Sequence, residues 1–211
     1  NLPNFVNDDA VTGAVIKGEE SDGRSVSSMM LRADGLRTRD QCKTLIYAFL
    51  YGAGDDNLGS IIGVSAKQGK AIKAKFFAAN PKLKALVDSV SKASLRGYLY
   101  GLDGRRVYMR KDKRSKKIQT HKALNTLLQS AGALVKKYSM IFLDKWGRQE
   151  GLDVWKVIDQ HDESQADVLP AHVERYKELA VKSVIKAGEY LQLNCPLDAE
   201  AKAGRNWAET H

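Results

Sequence analysis

With 211 residues, 43% of them hydrophobic, the chain can bury a real core as one substantial domain or two small ones, which excludes a disordered tail. Its 34 Lys and Arg against 25 Asp and Glu leave a net charge of +9, which favours a polyanionic partner, nucleic acid before an anionic membrane. No apolar run approaches the roughly 18–20 residues of a membrane span, and the N-terminus lacks the basic-then-apolar shape of a signal peptide, so no membrane partner is expected.

Residues 1–24 are rich in Asn, Asp and Gly, and "GEESDGRS" reads as a loop. A helical pattern over Ser25–Ala33 breaks at Gly35. "RTRDQCKTLIYAFLYGAGDDNLG", residues 37–59, reads as a helix capped by Thr38 or Asp40 and ended by its glycines. "SIIGVSAKQGKAIKAKFFAANP" is helical with a lysine-rich outer face, closed by Pro81. "KLKALVDSVSKASLRG" follows, with Leu83, Leu86, Val87 and Val90 at helical spacing. "GYLYGLDGRRVYMR" is a β-hairpin in which Asp103-Gly104 favours a tight type I′ turn. A cationic segment leads to a helix from about His121 to Trp146. A second hairpin is expected with Val154–Gln160 entering and Ser164–Val168 leaving, then a helix from Pro170 to about Leu191. The tail reads as a strand fragment and irregular chain, and the whole as an α+β fold without internal repeats.

Three stretches carry chemistry. On the first helix Arg39, Lys43, Tyr47 and Tyr51 are four apart on one face. Arg39 and Lys43 suit adjacent phosphates and the tyrosines a sugar or base; a solvated basic turn followed by buried tyrosines has the same spacing. Asp162 and Glu163 fall at the second hairpin's tip, where adjacent carboxylates present oxygen ligands to Mg²⁺ or simply form a polar turn. Asp159, on the strand body, reads as structural. Between Arg105 and Lys117 lie eight cations and one acid, Asp112, a density that suits a nucleic-acid backbone. Within it "GRRVYMR" is held by a hairpin, whereas "KDKRSKK" reads as a disordered, solvated loop. Asn125 and Gln129 share a helix face, fit to check minor-groove acceptors or to form a buried amide pair. Cys42 and Cys195 have neither metal-ligand nor disulfide spacing, which points to a reduced, cytoplasmic-type compartment.

Together these stretches resemble the C-terminal part of a family A (DNA polymerase I-like) DNA polymerase, closest in form to the replicative polymerases of phages. "RDQCKTLIYAFLYGAG" has the form of the fingers motif R-x3-K-x3-[FY]-x3-YG. "QHDE" resembles the palm carboxylate motif, "LDGRRVYMR" the basic hairpin, "HKALNTLLQSAGALV" the following palm helix and "GRNWAETH" the phage C-termini, all in order from about residue 7. The resemblance implies a mostly helical fingers subdomain (35–95), joined to the C-terminal part of an antiparallel-sheet palm (96–211), with 1–34 following the first palm motif. It implies that Arg39 and Lys43 bind the incoming triphosphate, that Tyr47 stacks near the sugar, and that Tyr51 and Gly52 sit by the templating base. Asp162 becomes a catalytic Mg²⁺ ligand with Glu163 in support, and His161 lies near the primer end. Arg105, Arg106, Asn125 and Gln129 contact the duplex.

Departures are also visible. The family's D-x-S-x-x-E-x-R motif, which carries the second metal-binding Asp, is not in the sequence, and Ser27 stands where phage relatives carry a histidine. The lysine-rich segment after Arg110 is longer than the motif leads one to expect. With Asn1 rather than Met at its start, the chain fits a cut, a processing site or an engineered boundary. The expected function is template-directed DNA synthesis on primer-template DNA with dNTP and two Mg²⁺ ions. It needs an N-terminal polymerase part bearing the second Asp, the thumb and any exonuclease. A processivity factor is a further partner, and the setting is the cytoplasm, of a host cell if phage-encoded. The alternatives are a catalytically inactive DNA-binding module and a single-subunit RNA polymerase fragment.

Overall fold

The computed structural model describes residues 63–210, together with Thr44, Ala48, Gly52, Ala53, Gly59 and Ser60. Two compact units result, one ending at Ser130 and the other beginning at Ala131.

In the first unit, α1 (Ala66–Ala79) starts later than its apolar pattern, which begins near Ser60. Gly63 takes φ +72°, and Ser65 then caps the helix. Its Oγ accepts the Gln68 N–H at 3.3 Å while Gln68 Oε1 accepts the Ser65 N–H at 3.0 Å, a reciprocal pair that fixes the first turn. Asn80 ends α1 by donating its backbone and side-chain N–H groups to Phe76 O. Pro81 opens α2 (Pro81–Ser94), where its missing N–H costs nothing. The expected stripe on α2 is observed: Leu83 and Val90 are buried, and Leu86 and Val87 half-buried. Phe76 packs with Leu83, and burying such a ring contributes roughly 1.5–3 kcal/mol.

A hairpin follows, with β1 (Tyr98–Tyr100) antiparallel to β2 (Arg106–Tyr108) and Leu99 opposite Val107. The turn differs from the expected type I′. That type needs positive φ at both central residues, yet Asp103 is not among the positive-φ residues. Instead Gly104 N–H donates to Gly101 O, Gly104 alone takes φ +78°, and Gly101 N–H pairs with Arg105 O, giving a three-residue loop. Asp103 is spent elsewhere, since its carboxylate accepts from Arg105 Nε at 2.7 Å and from the Arg105 N–H at 3.2 Å. Leu99 and Met109 join Val90, Ala123 and Leu127 in one core cluster.

After a 3-10 turn at Thr120–Lys122, α3 (Ala123–Gln149) runs 27 residues across the boundary between the units. In the second unit, β3 (Val154–Gln160) pairs antiparallel with β4 (Glu163–Val168), a residue earlier than expected for the returning strand. The register shifts between Lys156 and Ile158, so Val157 is an extra, bulged residue. The hairpin's base is closed by Leu169 N–H to Asp153 O and by Asp153 N–H to His172 Nδ1 at 2.9 Å. Pro170–His172 form a 3-10 turn that leads into α4 (Val173–Tyr190). On it Arg175 grips Glu150 through Nε and Nη2, at 2.6 and 2.7 Å. Tyr190 packs on Tyr138 and Phe142, with ring centroids 4.8 and 5.8 Å apart.

The tail departs from its expected reading. Among the described residues no strand forms there; Cys195 is buried, and α5 (Trp207–Thr210) ends the described chain. Asn206 and Glu209 explain the helix, because Glu209 accepts from the Arg205 N–H and from Asn206 Nδ2. Among the described residues no helix is long and apolar enough to cross a membrane.

Candidate functional site

In the second unit a cleft of about 770 Å³ lies among α3, the β3–β4 hairpin, α4 and the tail. Asp162 and Glu163 line it, with Lys136, Gln165, Tyr176 and Trp207. His161 and Asp162 form the two-residue loop between paired Gln160 and Glu163. His161 takes φ +51°, uncommon for a residue with a Cβ, and Asp162 is not among the positive-φ residues. Positive φ at the first loop position matches the right-handed twist of the strands, so the loop turns tightly and raises Asp162 at its tip.

Asp159 has the structural role expected of it. Its carboxylate accepts from Ser164 Oγ at 2.6 Å and meets Lys156 Nζ at 2.5 Å and Lys136 Nζ at 3.7 Å. The bulge at Val157 explains the Lys156 contact, because one extra residue puts positions 156 and 159 on the same face. Burial pushes Asp159 up, but Lys156, Ser164 and Lys136 outweigh it and hold the carboxyl below the usual range. Burial pushes Lys136 below the usual lysine range despite the pull of Asp159 and Asp162. Burial, then Asp159, raises the Tyr176 phenol. On the next strand Gln165 Nε2 donates to Glu163 Oε1 at 2.5 Å, and Thr210 Oγ1 donates to Gln165 Oε1 at 3.4 Å.

The donors at this turn are carboxylate oxygens, which fit a hard cation such as Mg²⁺. Among the described residues no three His, Cys, Asp or Glu side chains gather closely enough to hold a metal. Asp162 and Glu163 therefore offer a partial shell that other oxygens would complete.

In the first unit the basic hairpin is a cation and ring cluster. The Arg96 guanidinium lies 5.0 and 4.9 Å from the Tyr98 and Tyr100 ring centroids, and Arg106 lies 4.8 Å from Tyr98. Hydrogen bonding with Tyr98, then the charges of Arg106 and Arg96, hold the Tyr100 phenol below its usual range. Arg106 is exposed beside Tyr108, whereas Arg105 is drawn to Asp103. Exposed rings interleaved with guanidinium groups are a platform for nucleic acid.

Asn125 is half-buried and Gln129 exposed on α3, and among the described residues neither amide has a hydrogen-bond partner. A mutually bonded buried pair is thus not what forms. Gly52 takes φ +73°, and a Cβ there would overlap the His121 carbonyl oxygen. Thr44 and Ala48 are helical, and the Ala53 N–H donates to Ala48 O. Arg39, Lys43, Tyr47 and Tyr51, like Ser27 and Cys42, lie outside the described residues.

The "KDKRSKK" segment is ordered rather than a disordered loop. Asp112 Oδ1 accepts the N–H groups of Arg114 and Ser115, Asp112 N–H donates to Lys117 O, and Lys116 takes φ +57°. One acid satisfies the turn's backbone donors, which the charge count conceals.

Comparison with known proteins decides the lineage: the model of DNA polymerase family A matches residues 25–209. The chain belongs to that family. It is 50% identical over 177 residues to a DNA-directed DNA polymerase of Escherichia phage Phieco32, covering 84% of this chain and 29% of that protein. It is 35% identical over 198 residues to the DNA-directed DNA polymerase of Escherichia phage T7, covering 83% of this chain and 27% of that protein. The chain therefore spans less than a third of the length of these family A relatives. Its fold matches the POL domain of Pol1 from M. smegmatis, in complex with DNA primer-template and dNTP. The TM-score is 0.79 at 21% identity, over 93% of this chain and 36% of that one.

Sequence reasoning passed over Lys136, Gln165, Thr210 and Arg96. Lys136 and Gln165 sit at cleft positions set by helix phase and strand register. The Arg96 signal was present, in an Arg two and four residues before a Tyr pair. The helix end at Gly97 hid it.

Proposed function

We propose that the chain supplies the fingers (35–95) and C-terminal palm (96–211), with 1–34 as the segment after the first palm motif, of an enzyme that transfers a nucleotidyl group from a dNTP to a primer 3′-OH. The observation that carries this reading is the tight His161-Asp162 turn, which raises Asp162 beside Glu163 at a cleft, in a family A chain. In the transfer the 3′ oxygen bonds to the α-phosphorus and pyrophosphate leaves, so most catalysis is alignment and neutralisation of charge. Arg39 and Lys43 hold the triphosphate, and Tyr47 packs on the sugar. Tyr51 and Gly52 sit by the templating base; what supports this for Gly52 is a backbone packed so closely on the His121 carbonyl that no side chain fits.

Asp162 would hold Mg²⁺ with Glu163 in support, and the bound ion would supply Lewis-acid stabilisation of developing negative charge. The carboxylate that completes the set belongs to a D-x-S-x-x-E-x-R segment outside these 211 residues. His161 lies near the primer end, Arg106 and Arg105 contact the backbone, and Asn125 and Gln129, whose amides have no hydrogen-bond partner among the described residues, follow the minor groove.

Mixing the chain with a polypeptide that carries the D-x-S-x-x-E-x-R segment is expected to give Mg²⁺-dependent primer extension, with dNTP preferred to rNTP. Asp162→Ala should abolish it. Full extension by the chain by itself would refute the shared site, and wild-type extension by Asp162→Ala would refute the role of the turn.

A further inference from the structure

We propose that the tongue Arg110–Gln119 is a rigid phosphate-binding element that grips the sugar-phosphate backbone of a nucleic-acid duplex. This rests on the DNA-synthesis reading and adds a contact that the motifs do not assign.

Its geometry is that of a small closed ribbon. Lys111 and Ile118 form an antiparallel bridge, and the Gln119 N–H donates to Arg110 O at 3.1 Å. The tip is fastened by Asp112: its carboxylate takes the Arg114 and Ser115 N–H groups at 3.0 and 2.8 Å, and its carbonyl takes the Lys116 N–H at 3.0 Å. These bonds hold Asp112 below the usual carboxylate range, the backbone N–H of Ser115 first among them. Both legs are rooted in the core, where Met109 is buried and Ile118 packs against the same cluster.

This scaffold presents Arg110, Lys111, Lys113, Arg114, Lys116 and Lys117, all exposed. Among the described residues none of the six has a carboxylate within ion-pairing distance. The sole acid of the segment is turned inward to backbone donors. Six like charges on a fixed ribbon repel one another, and a flexible loop would let them separate. Here the fold spends a carboxylate and two core residues on keeping them together. Such an arrangement is favourable when a polyanion of regular charge spacing lies against it, and a duplex backbone has that spacing. The tip carries no aromatic ring or apolar side chain, which a headgroup-inserting or protein-docking tip would need.

The test is the salt dependence of duplex binding by the full chain, with a primer-template duplex as probe. Lys113→Gln/Arg114→Gln/Lys116→Gln/Lys117→Gln is expected to make the slope of log K against log salt shallower by about 2–4. Asp112→Ala adds net positive charge but unfastens the tip, and is expected to weaken binding about two- to fivefold through lost preorganisation. Melting curves confirm that both variants remain folded. Wild-type binding with an unchanged slope in the fourfold variant would overturn the tongue while leaving the polymerase reading intact. Absence of duplex binding by the wild-type chain would overturn the tongue, whereas the polymerase reading stands or falls on extension by the reconstituted mixture. Tighter binding by Asp112→Ala, or loss of binding to phosphatidylserine vesicles with duplex binding unchanged, would also overturn the proposal.

Discussion

Gln165 holds Glu163 from the neighbouring position on the same strand face, its Nε2 donating to Glu163 Oε1 at 2.5 Å, while its own Oε1 accepts from Thr210 at 3.4 Å. This bond limits the rotamers open to the Glu163 carboxylate. Gln165 thus links the acidic turn to the last helix of the described chain.

Gln165→Leu removes the donor and keeps the size. In the reconstituted polymerase this is expected to raise the Mg²⁺ concentration for half-maximal extension roughly tenfold, the usual cost of losing an outer partner of a metal site. The melting temperature should change little. An unchanged Mg²⁺ titration would show that Glu163 needs no such support.

Asp159 predicts how stability depends on pH. Its carboxyl lies below the usual range in the folded state, so it stabilises the fold above its unfolded value, about 3.9, and that contribution is lost as pH falls through the folded value. Asp159→Asn is expected to cost about 1 kcal/mol at pH 7, as partly exposed ion pairs do. Urea titrations at stepped pH should show the gap from the wild type closing in acid. A gap that persists at pH 2 would assign the loss to packing.

Lys136 runs the other way. Burial lowers its affinity for a proton, so the folded state gains stability as pH rises through the folded lysine value. Asp159 would keep Lys156 and Ser164 if Lys136 were removed. Lys136→Met is therefore expected to be neutral or stabilising by up to about 1 kcal/mol at pH 7. A large destabilisation would mean that Lys136 is the main counter-ion of Asp159.

How far the sequence reached can be judged residue by residue. The α2 stripe, both hairpins, the proline-led helix and the tip position of Asp162 follow from local rules, because periodicity and turn residues act over a few positions. The three-residue loop at Asp103 did not, since an Asp-Gly pair serves two loop lengths and the choice depends on Arg105. Nor did the bulge at Val157, which only cross-strand register defines. The cationic tongue misled for a related reason: charge density argues for disorder, and a single Asx turn at Asp112 reverses it. Lys136 and Thr210 reach the cleft through long-range packing that no local pattern records.

Gly52 offers the sharpest separation of structure from chemistry. The resemblance puts it by the templating base, and the fold puts it against the His121 carbonyl with φ +73°. The observed contact forbids a side chain, and the proposed template role predicts a different failure from it. Gly52→Ala must adopt a left-handed backbone, at about 1–2 kcal/mol, and displace the 3-10 turn at Thr120–Lys122, at about 1–3 kcal/mol more. A stability loss of roughly 2–5 kcal/mol is expected by denaturant titration, with extension at low temperature, where the variant stays folded, falling far less than its melting temperature suggests. If stability is unchanged and extension is lost, the glycine serves the template and its contact with His121 is incidental.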